Sequence, residues 1–212
     1  MGKQVGIRQD SPLYRPLVAF DFDGTLTCAD SFTAFLAWRF TPARHAIGMA
    51  RLAPAAAAYL INRDRERLKE AMVREFLTGE SRKDLVRRAE RFATSHARRL
   101  LRPDAIRSWK RWQTQNARLV IVTASPEILV APFARGLGAE ALIGTRLKFT
   151  ASDLADGDLD GPNCRGVEKV QRLRAMFGEN VALDAAYGDS DGDVAMLSLA
   201  EAAHMRVFGG RP

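Results

Sequence analysis

The distribution of apolar residues along the chain predicts short buried strands separated by helices. A four-residue apolar run, Leu17–Phe20, contains branched and aromatic side chains and is typical of a buried strand. Similar runs follow at residues 119–122, 141–143, 183–187 and 204–208. Apolar residues recur at helical spacing between several of these runs, for instance over residues 166–177. This alternation predicts an α/β fold with a doubly wound, mostly parallel sheet.

A long helical segment interrupts the alternation directly after the first strand. Residues 31–101 show helical spacing of apolar side chains, as over residues 68–77, and contain no strand pattern. We therefore expect a helical unit of roughly seventy residues, inserted into the α/β unit. The predicted organisation is a core of residues 1–30 and 102–212, with residues 31–101 as the insertion.

An alanine-rich apolar stretch at residues 46–61 lies inside this insertion. Arg51 and Pro54 interrupt it, so it falls short of the ~20 unbroken apolar residues that cross a membrane. We expect a helical hairpin that is packed into the core of the insertion. The alternative is an element that lies on an anionic membrane surface, since arginines flank the stretch.

A β-hairpin is expected at residues 145–161, with its turn near Asp156 and Gly157. Residues 156–161 also match the first six positions of a calcium-binding EF-hand loop. Val167, however, stands where that loop needs a glutamate, and no helix leads into it. The sequence therefore favours a turn over a calcium site.

The positive charge of the chain is concentrated in the insertion. Residues 31–111 hold 19 Lys/Arg and 8 Asp/Glu, a net charge of +11, whereas the remainder of the chain has a net charge of −4. Such a surface is either a solvated helical face or a face toward a phosphorylated substrate, an anionic membrane or nucleic acid. No recognition motif or aromatic interleaving supports nucleic acid, so we expect none.

Two features of the sequence favour the cytoplasm. Cys28 and Cys164 lie far apart and form no CxxC pattern, which fits a reducing compartment. Residues 1–15 lack the apolar core of a signal peptide. We expect a cytoplasmic protein, with peripheral contact at the inner face of the membrane as the alternative.

Polar side chains with metal- and phosphate-binding chemistry follow three of the predicted strands. These are Asp21 and Asp23, Thr123 and Ser125, and Asp189 and Asp193. Ligands of a doubly wound sheet lie beyond the carboxyl ends of its strands, so the three pairs should converge. Four carboxylates cannot crowd together ionised without a cation, and an oxygen-only ligand set favours Mg²⁺. Lys169, on the helix that follows residue 166, is the expected cation for a phosphoryl group.

These residues resemble the four ordered motifs of the haloacid dehalogenase (HAD) superfamily. The motifs are Asp21-Phe-Asp-Gly-Thr-Leu-Thr27, Thr123 after Val-Ile-Val, Lys169, and Gly188-Asp189 followed by Asp193. The long helical insertion after the first motif is similar to the cap of subclass IB, which contains phosphoserine phosphatase. The resemblance implies a Rossmann-like core that carries a helical cap.

The resemblance also implies a phosphatase mechanism. Asp21 attacks phosphorus and becomes an aspartyl phosphate. Asp23 protonates the leaving alkoxide and then deprotonates the water that hydrolyses the intermediate. Thr123, Ser125 and Lys169 hold the phosphoryl oxygens.

A magnesium site follows from the same resemblance. Asp21, Asp189 and the backbone carbonyl of Asp23 bind Mg²⁺, whereas Asp193 either orients the water shell of the metal or ligates it directly. The metal and the lysine together offset the charge of the transferring group.

The implied substrate is a small phosphate monoester. Asp30 stands nine residues after Asp21, where phosphoserine phosphatases use an acid to hold the substrate amine. Met72 stands near the position of the cap arginine that these enzymes use for the serine carboxylate, and Arg67, Lys69 and Arg74 are close to it. The expected substrate is phosphoserine-like or another small phosphorylated metabolite.

Two other functions compete with this one. In residues 30–36, 125–130 and 166–170 the chain is similar to phosphatidylglycerophosphatase C, a membrane-associated branch of the same subclass. The stretch at residues 46–61 would then face the membrane. The second competitor is a non-catalytic binding protein that uses the basic insertion, although such a protein has no need of both Asp21 and Asp23.

Overall fold

The computed structural model describes residues 14–62 and 65–212. Its strands are Leu17–Phe20 (β1), Arg118–Pro126 (β2), Ala141–Thr145 (β3), Leu147–Phe149 (β4), Ala155–Leu159 (β5), Leu183–Gly188 (β6) and Ala200–Met205 (β7). Its helices are Ser31–Arg39 (α1), Pro42–Arg51 (α2), Ala53–Asn62 (α3), Arg65–Leu77 (α4), Arg82–Leu100 (α5), Pro103–Thr114 (α6), Glu127–Leu137 (α7), Val167–Phe177 (α8) and Val194–Leu197 (α9).

Five strands form a parallel sheet in the order β3-β2-β1-β6-β7. The uniformly apolar strand β1 lies at its centre, where all four of its residues are buried. It pairs with β2 on one side and with β6 on the other. The carboxyl ends of these three strands therefore lie side by side, at the point where the strand order reverses and a ligand crevice forms. This architecture confirms the predicted α/β, doubly wound fold.

The last strand differs from its prediction. β7 spans Ala200–Met205 rather than residues 204–208, and its side chains alternate between half-buried and exposed as expected at a sheet edge. Arg206 has a φ of 55°, which turns the chain out of the sheet. Phe208 then packs against the ring of Tyr187, at a centroid distance of 5.3 Å. Phe208, which suggested a strand that reaches residue 208, therefore belongs to a tail that packs against the sheet after β7 has ended.

The predicted hairpin exists, but its turn lies elsewhere. β4 and β5 pair antiparallel, and residues 150–154 connect them. Thr150 N donates to Leu154 O, and Asp153 takes a φ of 60°. Gly157 lies within β5 at a φ of 97°, where a Cβ would clash with Thr78 at the end of α4. This glycine thus allows a close approach of helix and strand, which is why an Asp-Gly pair was a misleading turn signal here.

The helices α1 to α5 occupy the segment between β1 and α6, and one apolar core continues from the sheet into them. Phe92 of α5 packs against Phe35 of α1 and Phe133 of α7, with centroid distances of 5.5 and 6.0 Å. All three rings are buried. Burial of these aromatic side chains fixes the insertion against the sheet-flanking helix α7. The division of the chain into two domains stays a prediction.

The alanine-rich stretch forms the helices α2 and α3, but its predicted packing into the core is wrong. Ile47 and Met49 of α2 are exposed, and the exposed fractions of Leu60 and Ile61 in α3 reach 69% and 87%. Within residues 46–61, burial is confined to Gly48 and to Leu52, which lies between the two helices. Among the described helices, none is long and apolar enough to cross a membrane.

We expect Phe92→Ala to lower the free energy of unfolding by about 3–5 kcal/mol, because it leaves a cavity where α1, α5 and α7 meet. Urea denaturation measures this loss. The matched control on the same helix is Val86→Ala, which removes an exposed side chain and should change stability by about 0.5 kcal/mol or less. Equal losses in both variants would contradict a shared core.

Candidate active site

The chain leaves β1 in a tight turn that carries Asp21 and Asp23. Thr27 N donates to Phe22 O at 2.9 Å, and Gly24 adopts a φ of 83° inside the turn. Phe22 and Leu26 are fully buried on the opposite side, so they anchor the turn in the core. The alternation of apolar and polar residues in the motif thus directs both acids toward the cavity above the sheet.

Lys169 of α8 is buried at the centre of the site. Its Nζ lies 2.6 Å from Asp21 Oδ1, Asp193 Oδ1 and the backbone carbonyl oxygen of Val122. These three acceptors use all three donors of the ammonium. Burial opposes the charge of Lys169, but the two carboxylates outweigh it and raise the pKa of the lysine. Burial likewise opposes ionisation of Asp193, whereas Lys169 and the Ser190 hydrogen bonds lower its pKa.

The two acids of the first motif have different partners. Burial raises the pKa of Asp21 to about 7, although Lys169 opposes this shift. Asp23 accepts hydrogen bonds from the Ser125 hydroxyl and, at 2.7 Å, from Ser31 N. Burial and the nearby charge of Asp30 raise the pKa of Asp23 to about 6. An acid with a pKa near neutrality suits a group that must both donate and accept a proton.

Asp21, Asp189 and Asp193 each offer one carboxylate oxygen within 4.8 Å of the others. Burial and the charge of Asp193 raise the pKa of Asp189, so a cation here would relieve repulsion. A Cβ at Gly24 would clash with the Asp189 carboxylate, which therefore reaches its place only because residue 24 is glycine. This oxygen-only set fits Mg²⁺.

Two of the predicted metal residues have further contacts that bear on their roles. The Asp23 carboxylate lies outside this three-acid cluster. The expected contact between Asp23 and the metal would therefore come from the backbone carbonyl oxygen of this residue. Both oxygens of Asp193 accept hydrogen bonds, Oδ1 from Lys169 and Oδ2 from Ser190 and Asp189 N. These bonds favour an orienting role of Asp193 over direct ligation.

Thr123 and Ser125 lie at the carboxyl end of β2 and are buried. The Thr123 hydroxyl accepts a hydrogen bond from Ser125 N at 3.0 Å, and the Ser125 hydroxyl donates to Asp23. Ser125 thus orients the second acid in this structure, a role that its sequence position did not reveal. Phosphate binding by the two hydroxyls stays a prediction.

A cavity of about 510 Å³ opens above these residues. Asp30 lines it, and its carboxylate caps α1 by accepting a hydrogen bond from Thr33 N at 2.7 Å. Substrate binding by Asp30 stays a prediction. The insertion contributes Tyr59, which was not expected in the site, and Lys69, which was noted only as close to the position of the cap arginine. Lys69 lies four residues before the buried Val73, and side chains four residues apart lie on the same face of a helix. This spacing is the sequence feature that places Lys69 on the inner face of α4.

Comparisons with known proteins identify the family of this chain. A family model for haloacid dehalogenase-like hydrolases matches residues 18–198, and the chain belongs to this family, as its motifs predict. Protein CicA of Caulobacter vibrioides is 54% identical over 196 residues, which cover 92% of this chain and 88% of CicA.

Two solved structures are similar to this chain over most of its length. A protein of unknown function from Bordetella pertussis Tohama I has a TM-score of 0.71 at 25% identity, covering 87% of this chain and 86% of that one. A phospho-aspartyl intermediate analogue of phosphoserine phosphatase has a TM-score of 0.58 at 19% identity, covering 88% and 83%. The second likeness shows a shared fold.

We expect Gly24→Ala to weaken Mg²⁺ binding about tenfold or more, because the added methyl group displaces Asp189. The Mg²⁺ concentration that raises the melting temperature of the protein by half of its maximum shift measures this change. Gly161→Ala is the matched control, since Gly161 has a similar φ of 85° but open space around it. A similar loss in both variants would assign the effect to backbone strain instead.

Proposed function

We propose that this hydrolase is a Mg²⁺-dependent phosphatase that cleaves a phosphate monoester through an aspartyl phosphate. The observation that carries the proposal is the buried contact of Lys169 with Asp21, beside a second acid with separate partners. The substrate is phosphoserine-like or another small phosphorylated metabolite, since the cavity has the size of a small-molecule site. A non-catalytic binding protein would not need two neighbouring buried acids with different hydrogen-bond partners.

Asp21 is the nucleophile of the proposed reaction. Lys169 binds its Oδ1, and among the described residues none donates a hydrogen bond to Oδ2, which is left to attack phosphorus. The P–O bond to the substrate alcohol breaks as the Asp21–phosphorus bond forms. The phospho-aspartyl analogue known for a phosphoserine phosphatase of the same fold supports this intermediate.

Asp23 is the general acid and then the general base. It transfers its proton to the leaving alkoxide and later takes a proton from the water that attacks the aspartyl phosphate. Its bonds to Ser125 and Ser31 fix the carboxyl group beside Asp21 during both transfers. When bound by Asp21 and Asp189, Mg²⁺ would neutralise charge on the phosphoryl oxygens.

We expect Asp21→Asn to lower the kcat for hydrolysis of p-nitrophenyl phosphate about 10³-fold or more, since the amide cannot form the covalent intermediate. Steady-state kinetics in Mg²⁺ measures this loss. Beryllium fluoride should raise the melting temperature of proteins that keep Asp21 but not that of Asp21→Asn. Asp160→Asn is the control, because Asp160 is an exposed acid that does not line the cavity. Substantial turnover by Asp21→Asn would refute the nucleophile assignment.

A second candidate function is hydrolysis of phosphatidylglycerophosphate at a membrane surface. One observation favours it: α3 exposes Leu60 and Ile61 to solvent while Tyr59 of the same helix lines the cavity. An exposed apolar helix of this kind is typical of a surface that contacts lipid or protein. Membrane contact through α3 would bring the cavity to its lipid substrate.

If α3 binds membranes, the protein should co-sediment with anionic phosphatidylglycerol vesicles at low salt, and Ile61→Glu should abolish this because it places a charge in the lipid contact. Val167→Glu is the control, since Val167 is 70% exposed on α8, outside the insertion. Absence of co-sedimentation, or equal loss in both variants, would argue against a membrane substrate.

A further inference from the structure

The segment that follows β7, residues 206–210, begins beside one of the candidate metal ligands. Arg206 N donates to Gly188 O at 2.8 Å, and Arg206 Nε donates to Asp189 O at 2.6 Å. Both acceptors are backbone carbonyls, so these bonds fix the main chain from which the Asp189 carboxylate projects. We call residues 206–210 the tail segment.

The far end of the tail segment reaches the turn after β1 through Arg102. Gly210 O accepts a hydrogen bond from Arg102 Nη1 at 3.1 Å. Nε of the same guanidinium donates to Gly24 O and Thr27 O, at 3.3 and 3.0 Å. Because a guanidinium is planar and rigid, its bond to the tail segment fixes the direction in which Nε meets the turn. The tail segment is therefore connected with the turn in which Gly24 leaves room for the Asp189 carboxylate.

A carboxylate on the core holds the far end of the tail segment in place. Asp104 Oδ2 accepts hydrogen bonds from Gly209 N and Gly210 N, at 2.9 and 2.8 Å. Such charge-assisted bonds are stronger than neutral ones. A Cβ at Gly210 would lie 2.6 Å from this carboxylate, whereas a Cβ at Gly209 would meet no atom within 4 Å. The contact with Asp104 thus requires glycine at position 210 but tolerates a side chain at position 209.

We propose that Arg102, Arg206 and the carbonyl group of Gly210 form a positioning element for the Mg²⁺ site. They hold the turn that follows Asp21 and the loop that carries Asp189 in their present arrangement, and this raises the affinity for the metal. The inference rests on the proposed phosphatase function, which supplies the metal. None of the three residues lines the cavity, so they act through the backbone of the two loops. Groups that orient metal ligands without touching the metal typically change its affinity about 10- to 100-fold.

Gly210→Ala tests the positioning element, and Gly209→Ala is its matched control. The methyl group at position 210 displaces Asp104 and releases the tail segment, so we expect the Kd for Mg²⁺ to rise about tenfold. The same methyl group at position 209 enters open space and should leave the Kd unchanged. Calorimetric titration with Mg²⁺ measures the Kd and needs no substrate. Urea denaturation without Mg²⁺ records any loss of stability separately.

Arg102→Lys tests the connection between the tail segment and the turn after β1. The substitution keeps the positive charge but removes the planar fork that binds Gly210 O and Thr27 O together. We expect the Kd for Mg²⁺ to rise about tenfold here as well. The double variant Arg102→Lys/Gly210→Ala should bind Mg²⁺ no more weakly than the weaker single variant, because both substitutions break one connection. Arg107→Lys, at an exposed position of α6, is the control.

Three outcomes would overturn the positioning element. The first is an equal Kd in Gly210→Ala and Gly209→Ala, even if Gly210→Ala is the less stable protein. The second is an unchanged Kd in Arg102→Lys. The third is a double variant whose two losses add, since this would mean that Gly210 and Arg102 act separately.

The same measurements separate this inference from the proposed function. An unchanged Kd in Gly210→Ala and Arg102→Lys, with hydrolysis of p-nitrophenyl phosphate intact, would refute the positioning element alone. The expected changes in Kd, in a protein that hydrolyses no phosphate ester, would support the element and refute the phosphatase function. Failure of the unsubstituted protein to bind Mg²⁺ would refute both.

Discussion

The buried ammonium of Lys169 is the interaction on which the geometry of the site depends. Its three acceptors come from three different parts of the chain: Asp21 after β1, Val122 in β2 and Asp193 after β6. A buried charge that loses one partner destabilises a protein by about 3–5 kcal/mol, so this lysine ties the three segments together. Asp21 and the loop that carries Asp193 are thus held in register by one side chain from α8.

Contacts from outside the motifs hold the same loops. Arg102 Nε donates to Thr27 O at 3.0 Å and to Gly24 O at 3.3 Å, and Arg206 Nε donates to Asp189 O at 2.6 Å. Arg102 directly precedes α6 and Arg206 directly follows β7, so residues outside the motifs hold the loops that carry Gly24 and Asp189. Exact placement of reacting groups depends on such supporting bonds as much as on the acids themselves.

The parts of the site that could be predicted from the sequence are those that topology fixes. Acids at the ends of parallel strands must meet, so Asp21, Asp189 and Asp193 could be placed together before any contact was known. The hairpin turn and the last strand could not, because Gly157 and Phe208 serve tertiary packing that local patterns do not encode. The exposure of α3 escaped prediction for the same reason, since an apolar composition does not say what covers a helix.

The positive charge of the insertion shows that amino-acid composition alone does not locate the charge that acts in the cavity. Most arginines of α5, such as Arg87, Arg91 and Arg98, are exposed, and solvent and salt screen their interactions with a ligand. Lys69 is a single charge, but it stands in the cavity and is desolvated, so its interaction with an anion is screened far less. A net charge of +11 over residues 31–111 therefore says little about selectivity, because Lys69 is the one basic residue of the described insertion that lines the cavity.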